Sequence, residues 1–166
     1  MGDLYSELLV KKEKTGKDTG LRVLVIGAAV ACFLIGFFYS MYFLIPAVLL
    51  GAGSYFVYQR TDLEFEYLYV NGDLDIDKIM AKVKRKKGES LNMSQTEIVA
   101  PVGSHRLDSY KRGSVQVKDY SSGNPSHKRY AVIYRGDGQT REIIIEPDED
   151  LIQKMKYSAP GKVFFD

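Results

Sequence analysis

The sequence predicts an α+β protein: an apolar helical hairpin followed by a mainly antiparallel β meander that a C-terminal helix closes. Three observations carry this prediction. Val23 to Gln59 contains no Asp, Glu, Lys, Arg or His. From Leu63 the apolar period falls to two, the signature of a half-buried strand, and Asn71-Gly72 follows as a hairpin turn. Near the end, Pro147-Asp148 precedes Leu151, Ile152 and Met155 at helical spacing.

Taken in order, the chain opens with DLYSELLVKK, where Leu4, Leu8 and Leu9 fall at helical spacing. This predicts an amphipathic helix over 3–12 within an N-terminal segment, 1–21. Gly2 and Ser6 match a myristoylation pattern too short to separate from chance. The apolar stretch then exceeds the roughly 20 residues that one spanning helix requires. Phe37, Phe38, Tyr39, Tyr42 and Phe43 surround Ser40 at its midpoint, and aromatic rings favour the membrane–water interface. Two spans are therefore expected, about 22–39 and 42–59, forming a transmembrane hairpin over 22–60.

Lys11, Lys12, Lys14, Lys17 and Arg22 precede the first span, Arg60 follows the second, and the link between them carries no basic residue. The positive-inside rule then places both termini in the cytoplasm of a multi-pass membrane protein. Gly27 and Ala31, Cys32 and Gly36, and Ala47 and Gly51 recur at four-residue spacing, which lets helices approach closely. With no Asp, Glu, Lys, Arg or His from Val23 to Gln59, the spans offer no candidate for a proton or ion path. Cys32 is the single cysteine, which excludes an intrachain disulfide and cysteine metal spacing.

The remainder, 61–166, is long enough for one compact domain. Leu63, Phe65, Tyr67 and Tyr69 alternate with Glu64 and Glu66, and a return strand carries Leu74 and Ile76 between Asp73, Asp75 and Asp77. Its alternation slips near Lys78, and Gly88 is expected to turn the chain before a strand over about 90–100. A short helical connection, GSHRLDSY, follows Pro101, and Val115 and Val117 mark another strand. Tyr130 to Tyr134 and Ile143 to Ile145 form a second hairpin across Arg135-Gly136-Asp137-Gly138. Asp148, Glu149 and Asp150 favour the positive end of the final helix, and Pro160-Gly161 stop it. Lys162 to Phe165 then pack back as a latch.

A meander with this closing helix resembles the pleckstrin-homology-like (PH-like) barrel. The segments KTGKD, EYLYVNGDLDIDKIMAKVKRK, EIVAP and SAPGKVFFD together resemble a small bacterial membrane family of uncharacterised function. That resemblance spans nearly the whole chain. It implies two membrane helices with a PH-like domain and carries no catalytic residues.

With 23 basic against 21 acidic residues, the overall charge gives no argument for nucleic acid. Lys82, Lys84, Arg85, Lys86 and Lys87 form the densest charge and a candidate contact for anionic lipid. The three aspartates lack the offsets of an EF-hand loop. His105 and His127 fall in loops outside any nucleophile motif. The expectation is a non-enzymatic protein without cofactor, metal or small-molecule substrate. Its cytoplasmic domain would bind a protein partner or scaffold an assembly, with homo-oligomerisation through spans or domain as one form. The alternative is a lipid-surface module using 82–87.

Overall fold

The computed structural model describes residues 4–110, 115–136 and 138–166. Gly2, the start of the expected 3–12 helix and Asp137 of the second hairpin turn lie outside the described residues. The chain forms two compact units. The first joins the residues through Glu13 with Glu64–Ile79 and Arg85–Asp166; the second comprises Lys14–Leu63 and Met80–Lys84.

Among the described residues, the first unit contains two four-stranded sheets. One has the order β1-β2-β3-β4, formed by Tyr5–Lys11, Leu63–Val70, Asp73–Met80 and Lys84–Asn92. The other has the order β5-β7-β8-β6, formed by Thr96–Pro101, Tyr130–Gly136, Gln139–Ile145 and Gln116–Asp119. Among the described residues the sheets remain separate and close no barrel, so the architecture is α+β with PH-like sheets rather than the expected closed barrel. The second sheet is also mixed, because β6 runs parallel to β8.

The N-terminal segment departs from the expected helix. Residues Tyr5–Lys11 are β1, paired antiparallel with β2 from Tyr5↔Val70 to Lys11↔Glu64. The helical reading rested on Leu4, Leu8 and Leu9, but the alternation of Ser6, Leu8 and Val10 is the one the fold uses. Ser6 and Val10 are buried, whereas Tyr5, Glu7, Leu9 and Lys11 are exposed. The apolar helices therefore interrupt the domain between its first two strands. The expected boundaries of 1–21, 22–60 and 61–166 had put them ahead of it.

Asn71-Gly72 makes the β2–β3 turn with φ of 50° and 104°, as the sequence predicts. Gly88 does not turn the chain. It lies inside β4, where an added Cβ would meet the Ile76 carbonyl oxygen at 2.6 Å and the Tyr120 ring at 3.0 Å. The missing side chain is thus a seat for an aromatic ring, and the real turns fall at 81–83 and 93–95. The return strand accordingly ends at Met80, well before Gly88.

The main core lies where Phe65, Tyr67 and Tyr69 of β2 meet Val132, Ile143 and Ile145 of the second sheet. Helix α3, Glu149–Ser158, adds Leu151, Ile152 and Met155; α1, Gly16–Phe38, and α2, Leu44–Thr61, belong to the second unit. The Asp148 side chain caps α3 by accepting from the Leu151 N–H at 2.8 Å. A smaller cluster of Ile98, Ala100, Leu107, Ala131 and Ile133 covers the other face of β5 and β7. The terminal latch forms as expected. Phe164 N–H donates to the Val99 carbonyl and Val99 N–H to the Lys162 carbonyl, both at 2.8 Å, and Val163 is fully buried. Glu89 of β4 joins the sheets, accepting from Lys118 of β6 and, at 2.9 Å, from Arg141 of β8.

The second unit is built on α1, Gly16–Phe38, and α2, Leu44–Thr61. Both are long and apolar enough to cross a membrane by length and composition. Helix α1 starts earlier than the apolar edge suggests, because Asp18 accepts from the Thr15 N–H at 3.1 Å and caps its first turn. Of the expected packing residues, Gly36 and Ala47 are buried and Cys32 is half-buried, whereas Gly27, Ala31 and Gly51 face outward. Val25, Ala29, Cys32 and Gly36 of α1 and Ala47, Leu50, Ser54 and Val57 of α2 are buried or half-buried at heptad spacing. At Gly36 the chain approaches closely: an added Cβ would lie 2.8 Å from the Leu44 side chain, which would have to shift.

Candidate membrane-proximal site

The basic run is divided between the two units. Met80–Lys84 belongs with the helices, and Arg85 onward belongs with the sheets. The division has a local cause. Asp62, at the end of α2, offers its carbonyl to the Ala81 N–H at 2.7 Å, and this holds the β3–β4 turn against the helix terminus.

That turn is strained. The Val83 N–H donates to the Met80 carbonyl at 3.1 Å, while Ala81 and Lys82 adopt φ of 48° and 58°. This is the same left-handed pair that Asn71-Gly72 supplies without penalty, here made by two residues whose Cβ atoms oppose it. Lys82, Val83 and Lys84 are all exposed, and Val83 retains 80% of its surface. Nothing in the sequence pattern announced an apolar residue displayed between two lysines on a strained tip.

Charge in the helical unit is one-sided. Lys14, Lys17, Arg22, Arg60, Lys82 and Lys84 stand against Asp18 and Asp62. Asp18 is engaged in capping α1, and Asp62 is buried. Arg22 donates to the Thr61 hydroxyl and stacks over the Tyr58 ring at 4.8 Å, which ties the start of α1 to the end of α2. The rest of the run behaves differently. Arg85 pairs with Glu66 and lies 3.8 Å from Asp77, while Lys86 and Lys87 are exposed along β4. The structure therefore brings Lys82 and Lys84 to the helix ends and engages Arg85 within the first sheet.

A second polar cluster went unread in the sequence because its members come from separate segments. Glu146 accepts from the Ser122 hydroxyl at 2.5 Å, and its other oxygen lies 2.7 Å from His127 Nδ1. A serine nucleophile needs an imidazole nitrogen to take its proton while the carboxylate holds the opposite nitrogen. Here His127 presents the same Nδ1 to Glu146 and, at 3.3 Å, to Ser122, and its Nε2 faces Asn124. Asn124 also donates to Glu13 at 2.8 Å, and the Glu13 N–H donates to the Ser122 carbonyl at 2.8 Å. The cluster acts as a clamp fastening the 121–127 loop to the end of β1.

Asp73, Asp75 and Asp77 share one face of β3 as expected, but among the described residues no cluster of acidic, histidine and cysteine side chains could hold a metal ion. Tyrosines near the sheet junction titrate late. Burial, reinforced by Glu89, pushes Tyr120 up to about 12, and burial raises Tyr67, whose hydroxyl donates to the Tyr120 carbonyl at 2.6 Å. The family model described as Bacterial PH-like domain (DUF6106) matches residues 2–165. No curated protein and no solved structure matches the chain.

Proposed function

From the premise that the chain belongs to the family of bacterial PH-like domains, we propose a non-enzymatic integral membrane protein. In this reading α1 and α2 are the anchor and the PH-like domain is a cytoplasmic protein-interaction module. The observation that carries the topology is the β1–β2 pairing. Glu13 and Glu64 belong to one domain, so the segment between them leaves it and returns. That connectivity supports an even number of crossings independently of the basic flanks. The absence of Asp, Glu, Lys, Arg and His from Val23 to Gln59 supports an anchor rather than a conduit.

What supports the non-enzymatic part is that Ser122, His127 and Glu146 engage one another in a structural clamp. Photo-crosslinking from exposed domain positions in native membranes tests the binding role. A discrete protein adduct is the expected result, and adducts to lipid alone would overturn it.

A second reading is favoured by the strained turn. Lys82 and Lys84 flank the exposed Val83 at the helix ends, a disposition suited to anionic headgroups, with each basic residue contributing about 1 kcal/mol at the surface. Hydrogen exchange of the full chain in nanodiscs separates the readings. Slower exchange across 82–84 in anionic lipid, reversed by salt, would support lipid contact, and equal exchange in zwitterionic lipid would sink it.

A further inference from the structure

We propose that the helix pair selects lipids of short acyl chain, because α1 and α2 match a hydrocarbon core thinner than that of an ordinary bilayer. This rests on the anchor reading above and names the lipid that the anchor fits.

The charge-free part of each helix has the same length. α1 and α2 contain 23 and 18 residues, but Lys17, Asp18 and Arg22 occupy the first turns of α1, and Arg60 the last turn of α2. What remains, 23–38 and 44–59, is 16 residues in each helix. At about 1.5 Å per residue both runs are about 24 Å long, against a core of about 30 Å. The far boundary is set by the link between the helices. There Phe37, Phe38, Tyr39 and Tyr42 are exposed and no charged residue occurs, and such rings settle at the interface.

The near boundary is fixed as well. A boundary cation can lengthen a short span by reaching outward along its own stem. Arg22 is held back from doing so: its guanidinium donates to the Thr61 hydroxyl and lies 4.8 Å from the Tyr58 ring centroid, at the depth of the end of α2. No further turn of α1 can enter the core, because Asp18 caps its start and Lys17 is exposed. Beyond α2, the Asp62 carbonyl holds the Ala81 N–H at 2.7 Å, and with it the exposed Lys82 and Lys84. Sinking either end would strip water from these charges. Tilting the pair shortens its span further. The remaining accommodation is on the lipid side, where a short span is met by a thinner core.

The experiment uses the full chain carrying Leu49→Trp, in phosphatidylcholine vesicles with equal parts of short and long monounsaturated chains, brominated one at a time. The sequence holds no tryptophan and Leu49 is exposed in α2, so its fluorescence reports the acyl chains beside the pair. Quenching should be about two- to threefold stronger when the short chain carries the bromine. Replacing both boundary arginines, Arg22→Leu and Arg60→Leu, lengthens both runs and should move the preference toward the long chain. Arg22→Lys keeps the charge, breaks the clasp and lets the cation reach outward, so it should weaken the preference. Should these variants fail to fold, the chain carrying Leu49→Trp alone decides. Equal quenching from short and long chains, or stronger quenching from the long, would overturn the proposal and leave the anchor reading standing. Quenching by neither would overturn both.

Discussion

At single residues, the fold's demands are most visible where a side chain is missing or forced. Gly88→Ala places a methyl group against the Ile76 carbonyl and the Tyr120 ring, and overpacking of this kind costs about 1–3 kcal/mol. Chemical denaturation should show that loss. Ala81→Gly works in the opposite direction, because it removes the Cβ that opposes a φ of 48°. It should raise stability by up to about 1 kcal/mol unless the strain is offset by a bound surface. Tyr120 supplies a pH dependence with a definite sign. Its folded pKa is raised from 10.0 to about 12, so its contribution is complete below pH 10 and is lost as pH rises through about 12. Phenolate absorbance should therefore show a late-titrating fraction that merges with the rest once the chain unfolds.

Among elements, β1 changes the account most. It contributes Val10 to the core, with Leu4 and Leu8 packed against it, and it covers one side of β2. A fragment beginning at residue 61 lacks this strand and should fail to fold cooperatively. Replacing residues 14–62 with a short Gly/Ser linker should instead give a soluble, folded domain, because Lys11 and Glu64 face each other across one ladder. Circular dichroism and a cooperative melt distinguish the two designs. The hairpins, α3 and the latch were legible because Asn71-Gly72, Pro147-Asp148 and Pro160-Gly161 each state a local rule. β1 was not, since Leu8 and Leu9 satisfy both a helical and an alternating pattern, and its partner lies on the far side of the apolar helices. Four-residue spacing of small residues does not distinguish faces: Gly36 and Ala47 are buried and Cys32 half-buried, whereas Gly27, Ala31 and Gly51 carry the same spacing on exposed positions.

On the scale of the whole molecule, the candidate sites depend on long-range contacts that no local pattern contains. The basic run was visible as charge, but its division at Lys84 follows from the Asp62–Ala81 hydrogen bond between a helix end and a turn. The anchoring of the N-terminal segment is likewise long-range, with Lys154 donating to the Tyr5 carbonyl and Glu13 to the Ser122 carbonyl, both more than a hundred positions away. These contacts describe a PH-like domain interrupted by an apolar helix pair, and that interruption is the central claim. Its most direct test is impermeant thiol labelling of sealed membranes, with Ser40→Cys and Ser126→Cys introduced separately into a Cys32→Ala background. The account predicts that Ser126→Cys labels only from the cytoplasmic face and Ser40→Cys only from the opposite face. Labelling of both from the same face would contradict it.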